Sequence, residues 1–386
     1  MKRSANLRLL SWFNFFSFLR LYGVVAVIYF AQITGSYALA LSIYSIANIA
    51  RAAFEIPTGI ISDKLGRSIC LRLGALASVL SVACYAIGQD YAILVIGAVL
   101  EGACLAFFSG NNDALLYESL AEHGQEVRYP EALGRARSAM ELAGFLASIL
   151  GGLIASVSFG VLMGLSMMPQ LIALALSFGF RDATVHRRTP ENVLFHLKEA
   201  LSYYMSNWRL RTLSLAEIIG VGMGDAAWSL QAAFYNMLLP IWAVGVMISL
   251  NYLASTISFR LSGRLIERFK ALNLLLFSAI YSRVLAFIAL ISPTVFSPLL
   301  MASASVTYGP SVVAGNTLLQ AEFTDRQRAT MASINSLAGG FFFAVMAVLL
   351  GAYADRFGTA HALLIAQVLQ LPLIGLYWQV FRKTRS

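Results

Sequence analysis

Apolar residues along this chain gather in long runs, separated at short intervals by charged and small polar residues. Twelve runs stand out, at 9–31, 37–61, 70–88, 91–117, 133–156, 160–180, 211–236, 240–262, 272–292, 295–320, 330–353 and 359–381. Each is near the ~20 residues an α-helix needs to cross a bilayer, so the pattern predicts twelve membrane-spanning helices. Lys2, Arg3 and Arg8 ahead of the first run have the look of a secretion signal. Arg20 interrupts that run and eleven more follow, so the first run reads as a retained helix.

The polar interruptions give an orientation. All but four of the 28 Lys and Arg residues fall in the termini, the even-numbered loops and the run ends that border those loops. The four are Arg20, Arg51 and Arg283, inside runs, and Arg356, in an outer loop. Lys and Arg are retained on the cytoplasmic side of a membrane, so both termini are expected inside.

Composition agrees with this reading. Of the 386 residues, 59% are hydrophobic and 12% charged, with a mean hydropathy of +0.72; soluble domains carry roughly 25% charged residues. The net charge of +9 then reflects loop placement, and no nucleic-acid partner is expected. Cys70, Cys84 and Cys104 all lie in apolar runs. Thiols there behave as small hydrophobes, so no disulfide framework is expected.

The longest polar stretch, "RDATVHRRTPENVLFHLKEALSYYMSNWRLR", follows the sixth run and divides the chain. The expected order is an N-terminal six-helix bundle at 1–181, a linker at 182–208 and a C-terminal six-helix bundle at 209–386. The linker's "NVLFHLKEALSYYM" has the spacing of an amphipathic helix lying on the inner surface. The halves read as a duplication. "GIISDKLGR" from Gly59 and "GRLIERFKA" from Gly263 stand 204 positions apart. "SGNNDALLYESL" from Ser109 resembles "AGNTLLQAEF" from Ala314, and "RARSAMELAG" resembles "RQRATMASINSLAG".

"GIISDKLGR" also resembles the signature loop G-x-x-x-D-x-x-G-R of the major facilitator superfamily, with Gly59, Asp63, Gly66 and Arg67 on the four matching positions. "FEIPTG" before it and "SGNNDALLYESL" after it are similar to a prokaryotic branch of that family. The resemblance covers the whole chain. It implies an all-α membrane protein with twelve transmembrane helices in two pseudo-symmetric bundles around a central cavity. It further implies a monomer in a bacterial inner membrane that moves a small-molecule substrate by alternating access, one bundle rocking against the other. Membrane lipids, and protons as coupling ion, are the other expected partners; no cofactor and no metal are expected.

The residues of the loop suit a gate on the inner side. Gly59 and Gly66 permit close approach and a tight turn. Asp63 can accept from a helix N-terminus in the opposite half, and Arg67 offers a planar fork to a carboxylate. In the family, an acidic residue at the cytoplasmic end of the fourth helix completes the gate. Here that residue is Asp113, with Arg67 as its expected partner.

Arg20, Glu101, Asp225 and Arg283 fall near the membrane midplane, where a charge needs a partner or water. The repeat offset and the family's architecture set Asp225 almost opposite Arg20, so a pair between them, or a shared substrate contact, is expected. Glu101, an isolated carboxyl in an apolar helix, is the main candidate to carry a coupling proton, with Asp225 the second. Counting along one continuous helix puts Leu105, Phe108 and Asn112 on the face of Glu101, so Asn112 is expected at the cavity. The same count puts Gly102, Ala106, Ser109 and Asp113 on a packing face. Trp12, Phe16, Trp228 and Tyr235 are expected toward the cavity and suit an amphipathic or ring-bearing solute. Glu141 and Glu217 read as rim positions, and Arg51 with Glu55 as a local ion pair. The sequence gives Arg283 no role.

An enzyme is not expected. The four histidines, His123, His186, His196 and His361, lie in loops or at helix ends, and no H-E-x-x-H, G-x-S-x-G, Cys–His or phosphate-loop pattern occurs. No catalytic residue is therefore assigned. The family's proton-coupled drug exporters carry an Arg three residues before a Gln/Glu-Gly pair, where this chain has Ala98. They also carry a Gly-Pro step in the fifth helix, where "GFLASILGG" has no proline. Proton-coupled export of an amphipathic compound is the leading reading. Import or release of a metabolite, siderophore or lipid-like solute stays open, as does a transporter-like receptor that binds without transport.

Overall fold

The computed structural model describes residues 5–182, 203–323 and 328–385. Most of the expected linker helix, with His186 and His196, lies outside the described residues. All regular structure among the described residues is helical, and nine of the helical stretches are long and apolar enough to cross a membrane. The described residues form two compact units. One lies within Met1–Arg187 and Pro240–Ser249, the other within Arg188–Leu239 and Leu250–Ser386.

The first unit contains α1 (Ala5–Phe18), α2 (Ala26–Thr34), α3 (Tyr37–Leu65), α4 (Arg67–Ile87), α5 (Tyr91–Phe108), α6 (Asn111–Ala121), α7 (Tyr129–Ala155) and α8 (Phe159–Ser177). Helix starts follow local chemistry. Ser36, Asp90 and Ser158 accept at their side chains from the backbone N–H of Leu39, Ile93 and Val161, which satisfies donors that the helix itself leaves open.

The second unit contains α9 (Trp208–Leu238), most of α10 (Ile241–Phe269), α11 (Ala271–Ile291), α12 (Ser297–Ala304), α13 (Tyr308–Glu322), α14 (Arg328–Phe357), α15 (Thr359–Leu369) and α16 (Pro372–Arg385).

Four of the expected spans are interrupted, which corrects the picture of continuous helices. The first breaks between α1 and α2, with Arg20 at the break. The fourth breaks at Ser109–Gly110, where Gly110 takes φ +71°, a conformation glycine adopts at no steric cost. The tenth passes through a 3-10 turn at Ser305–Thr307, and the twelfth breaks ahead of Pro372, whose ring cannot sit inside a helix without removing a hydrogen bond.

Packing within each unit is tight where small residues allow it. In the first, Leu10, Phe13, Leu71, Leu115, Leu116 and Phe180 share one core, and Phe13 meets Phe108 and Phe180 edge-on, each at 5.2 Å between centroids. A Cβ added to Gly102 would stand 2.5 Å from the Cβ of Ala50, so α5 approaches α3 closely only because that residue is glycine. In the second unit, Leu210, Leu213, Leu319, Phe323, Met331 and Val380 form the core. Cys70 and Cys104 are buried, Cys84 is half-buried, and all three are free.

The duplicated loop leaves a backbone trace. Gly66, between α3 and α4, has φ +102°, and Lys270, 204 positions later between α10 and α11, has φ +66°. The second copy keeps the turn but has lost the glycine.

Candidate functional site

The break after α1 frees Arg20 to turn its side chain toward α5. Its Nη1 donates to Oε1 of Glu101, and Tyr85 Oη donates to Oε2 of the same carboxylate at 2.8 Å. The two charged side chains keep only 22% and 16% of their surface exposed. Tyr85 is itself fully buried, set by Phe30 at 5.0 Å and Tyr22 at 5.7 Å between ring centroids, and its carbonyl accepts from Tyr29 Oη at 2.9 Å. A carboxylate gripped by a guanidinium and a phenol, away from bulk water, is held more firmly than the same pair in solvent.

This geometry corrects two expectations. Glu101 is not isolated, and the partner of Arg20 is Glu101 where the repeat offset pointed to Asp225. The irregular backbone at 19–25 brings Arg20 within reach of the opposite charge on its own unit.

The break at Gly110 changes the phase of α6, so the continuous-helix count that grouped Asn112 with Glu101 does not hold. Asn112 instead exchanges amide hydrogen bonds with Asn14 of α1. Its neighbour Asn111 is buried and accepts from Ser62 Oγ and from Arg67 Nη1, the latter at 3.2 Å.

Arg67 opens α4 and ties the signature loop to α6. Besides Asn111 it reaches Ser62 Oγ, and its Nε lies 3.5 Å from Glu118 Oε1. The expected Arg67–Asp113 pair is replaced: Asp113 pairs with Arg137 at 2.9 Å, both partners largely exposed. Arg67 is drawn instead to the more buried acceptors. Asp63 is exposed on the last turn of α3.

The turn at Gly66 is occupied from outside by Asp182. Its Oδ1 accepts from Ser68 N–H at 2.9 Å and its Oδ2 from Ser68 Oγ at 2.7 Å, which caps α4. A Cβ on Gly66 would lie 2.7 Å from the Asp182 Cγ, so the glycine answers both a positive φ and a close approach. Gly59 answers neither, since a Cβ there would meet open space.

In the second unit, Asp225 is exposed on α9, one turn before Trp228, which is 41% exposed. The Trp228 indole meets the Tyr252 ring edge-on at 6.2 Å. Tyr235, expected toward a cavity, is fully buried, hydrogen-bonded to Gln231 and to the Pro298 carbonyl. Glu217 accepts from Asn335 at 2.9 Å. Arg283 gains an account: it donates to Gln370, at the junction of α15 and α16, and to Ser282. Trp12 is exposed and stacks on Phe16. Glu55, expected to pair with Arg51, accepts a long hydrogen bond from Ser109.

Sequence reasoning missed Asn14, Tyr85, Asn111, Glu118, Asp182 and Gln370. Each acts on a residue at least 16 positions away in sequence, so no local pattern marks its role. The asparagine pair in "SGNNDALLYESL" is the one signal that drew notice, though for a different role.

A family model described as Major Facilitator Superfamily matches residues 9–343. Over 120 residues the chain is 32% identical to an uncharacterized MFS-type transporter of Methanocaldococcus jannaschii. That match covers 31% of this chain and 29% of the relative, so the likeness spans under a third of the relative's length. A crystal structure of a point mutant of the nucleoside transporter NupG superposes with a TM-score of 0.83 at 13% identity, covering 98% of this chain and 99% of that one. The POT family transporter PepTSo gives 0.77 at 12% identity, covering 100% and 99%. A bacterial homolog of the human lysosomal transporter Spinster, inward-facing and unoccupied, gives 0.76 at 14%, covering 97% and 96%. At such identities the superpositions speak for the fold. With the family model matched over residues 9–343, most of this chain, and the signature joint in place at Gly59–Arg67, the chain belongs to the Major Facilitator Superfamily.

Proposed function

We propose that this protein is a secondary transporter that exports an amphipathic organic solute by alternating access, using protons as coupling ion. The observation that carries the reading is the ion pair between Arg20, at the break in the first apolar run, and Glu101 of α5, braced by Tyr85. A charge in such a place is seldom retained without a role in binding or ion movement. The superfamily membership and the transporters named above support transport as the general activity.

The coupling step follows from simple electrostatics. An ionised Glu101 holds Arg20; a protonated one no longer balances the guanidinium charge, and the pair weakens. Arg20 stands on the irregular segment between α1 and α2, so its release shifts the one part of the first span that helix hydrogen bonds do not fix. In this reading Glu101 carries the proton, with Asp225 the second candidate. Arg20, Asn112 and Trp228 contact substrate, and Gly59, Asp63, Gly66, Arg67 and Asp113 belong to the inner gate. The Lys and Arg distribution supports cytoplasmic termini, and the resemblance to a prokaryotic branch of the family suggests a bacterial inner membrane. Two six-helix bundles joined by the 182–208 linker form the working unit.

Counterflow in proteoliposomes tests transport itself. Vesicles preloaded with each member of an amphipathic compound library are diluted into the labelled compound. Transient accumulation of at least one compound is expected; a ligand that binds the purified protein but never accumulates would make it a receptor.

A further inference from the structure

We propose that Asp225, Trp228 and Tyr252 form a subsite for an organic cation, so that the solute carries a protonated amine, an amidine or a quaternary nitrogen. This rests on the transport reading and narrows its substrate class. Along α9, Val221, Asp225 and Trp228 are exposed and share one face, while Gly222, Ala226, Leu230 and Ala233 are buried on the other. Asp225 therefore lies on the face of α9 turned from its own unit's core, and a Cβ at the neighbouring Gly224 would meet open space. A carboxylate turned to lipid tails at this depth is strongly disfavoured. An exposed one implies a space holding water or a ligand.

The charge of Asp225 also has no internal answer. Among the described residues no Lys, Arg or His pairs with it. The contact made at this residue is to its backbone carbonyl, which accepts from Ser229 Oγ at 2.9 Å. Glu101 is the opposite case, already neutralised by Arg20. The surroundings of Asp225 indicate which outside cation fits. A hard metal ion gathers several oxygen ligands, whereas the side-chain neighbour of Asp225 at i+3 is an exposed indole, packed edge-on against a second aromatic ring. A carboxylate one helical turn from a partly exposed indole suits a soft, weakly hydrated organic cation, which gains from both charge and ring quadrupole.

Equilibrium dialysis of the full chain in detergent with labelled tetraphenylphosphonium tests this, with tetraphenylborate as an anion of the same shape. Saturable cation binding is expected, weakened roughly tenfold or more in Asp225→Asn and in Trp228→Ala and retained in Asp225→Glu. Melting curves of each variant show that the fold survives. Wild-type affinity in Asp225→Asn, or equal binding of tetraphenylborate, would overturn the proposal. Asp225-dependent binding without flux in proteoliposomes would keep the subsite and sink the transport reading. Flux of neutral amphiphiles without tetraphenylphosphonium binding would do the reverse.

Discussion

Arg20 and Glu101 stand 81 positions apart in sequence, yet their side chains form an ion pair inside the first unit. Breaking a largely buried pair from one side leaves the other charge stranded, which costs about 3–5 kcal/mol in a dry interior. With about a fifth of each side chain exposed, we expect about 2–3 kcal/mol for Arg20→Ala. Glu101→Gln loses less, because its amide oxygen still accepts from Arg20 or Tyr85. A double-mutant cycle in chemical denaturation should give a coupling of about 1–3 kcal/mol; additive single losses would mean that the pair does not form.

Gly66 and Asp182 form a second test. Gly66→Ala forces a side chain into a positive-φ position, which costs about 1–3 kcal/mol, and pushes it against the Asp182 carboxyl. Asp182→Ala removes a helix cap, for a loss of about 1 kcal/mol. Because the second change also removes the clash, the double variant should lose less than the two single losses combined. Strict additivity of the melting shifts would show that the two residues do not touch.

Lys270 sits with positive φ where its repeat counterpart is glycine. Lys270→Gly relieves that strain and should stabilise the protein by up to about 1 kcal/mol, even though glycine adds freedom to the unfolded chain. The check is thermal unfolding in detergent, and a lowered midpoint would show that the Lys270 backbone is not strained.

Arg67 and Asp113 separate cleanly by burial. The Asp113–Arg137 pair is exposed, so Asp113→Asn should change stability by under about 0.5 kcal/mol. Arg67→Ala removes links from α4 to Ser62, Asn111 and Glu118 and should cost more than Asp113→Asn. Equal melting shifts for the two variants would contradict this ranking.

Patterns that repeat along the chain made most of the fold legible. Apolar run lengths give the helices, and the 204-residue offset leads from Gly66 to its positive-φ counterpart Lys270. The site was less legible because it depends on where helices stop. The phase count from Glu101 to Asn112 assumed one helix, and the turn at Gly110 cancels it. The break at Arg20 likewise lets a residue assigned to Asp225 reach Glu101. Asp182 could not be read as the cap of α4, since nothing local marks a contact over 114 positions. Charges inside the apolar runs announced themselves; the groups that hold them, Tyr85 and Gln370, did not.

Flux driven by an imposed pH gradient, in proteoliposomes of wild type and Glu101→Gln, tests the proton-coupling claim most directly. For any solute found by counterflow, the wild type should concentrate it against its gradient. Glu101→Gln should lose gradient-driven accumulation while still binding the solute. Unchanged gradient-driven accumulation in Glu101→Gln would contradict the assignment of the coupling proton to Glu101.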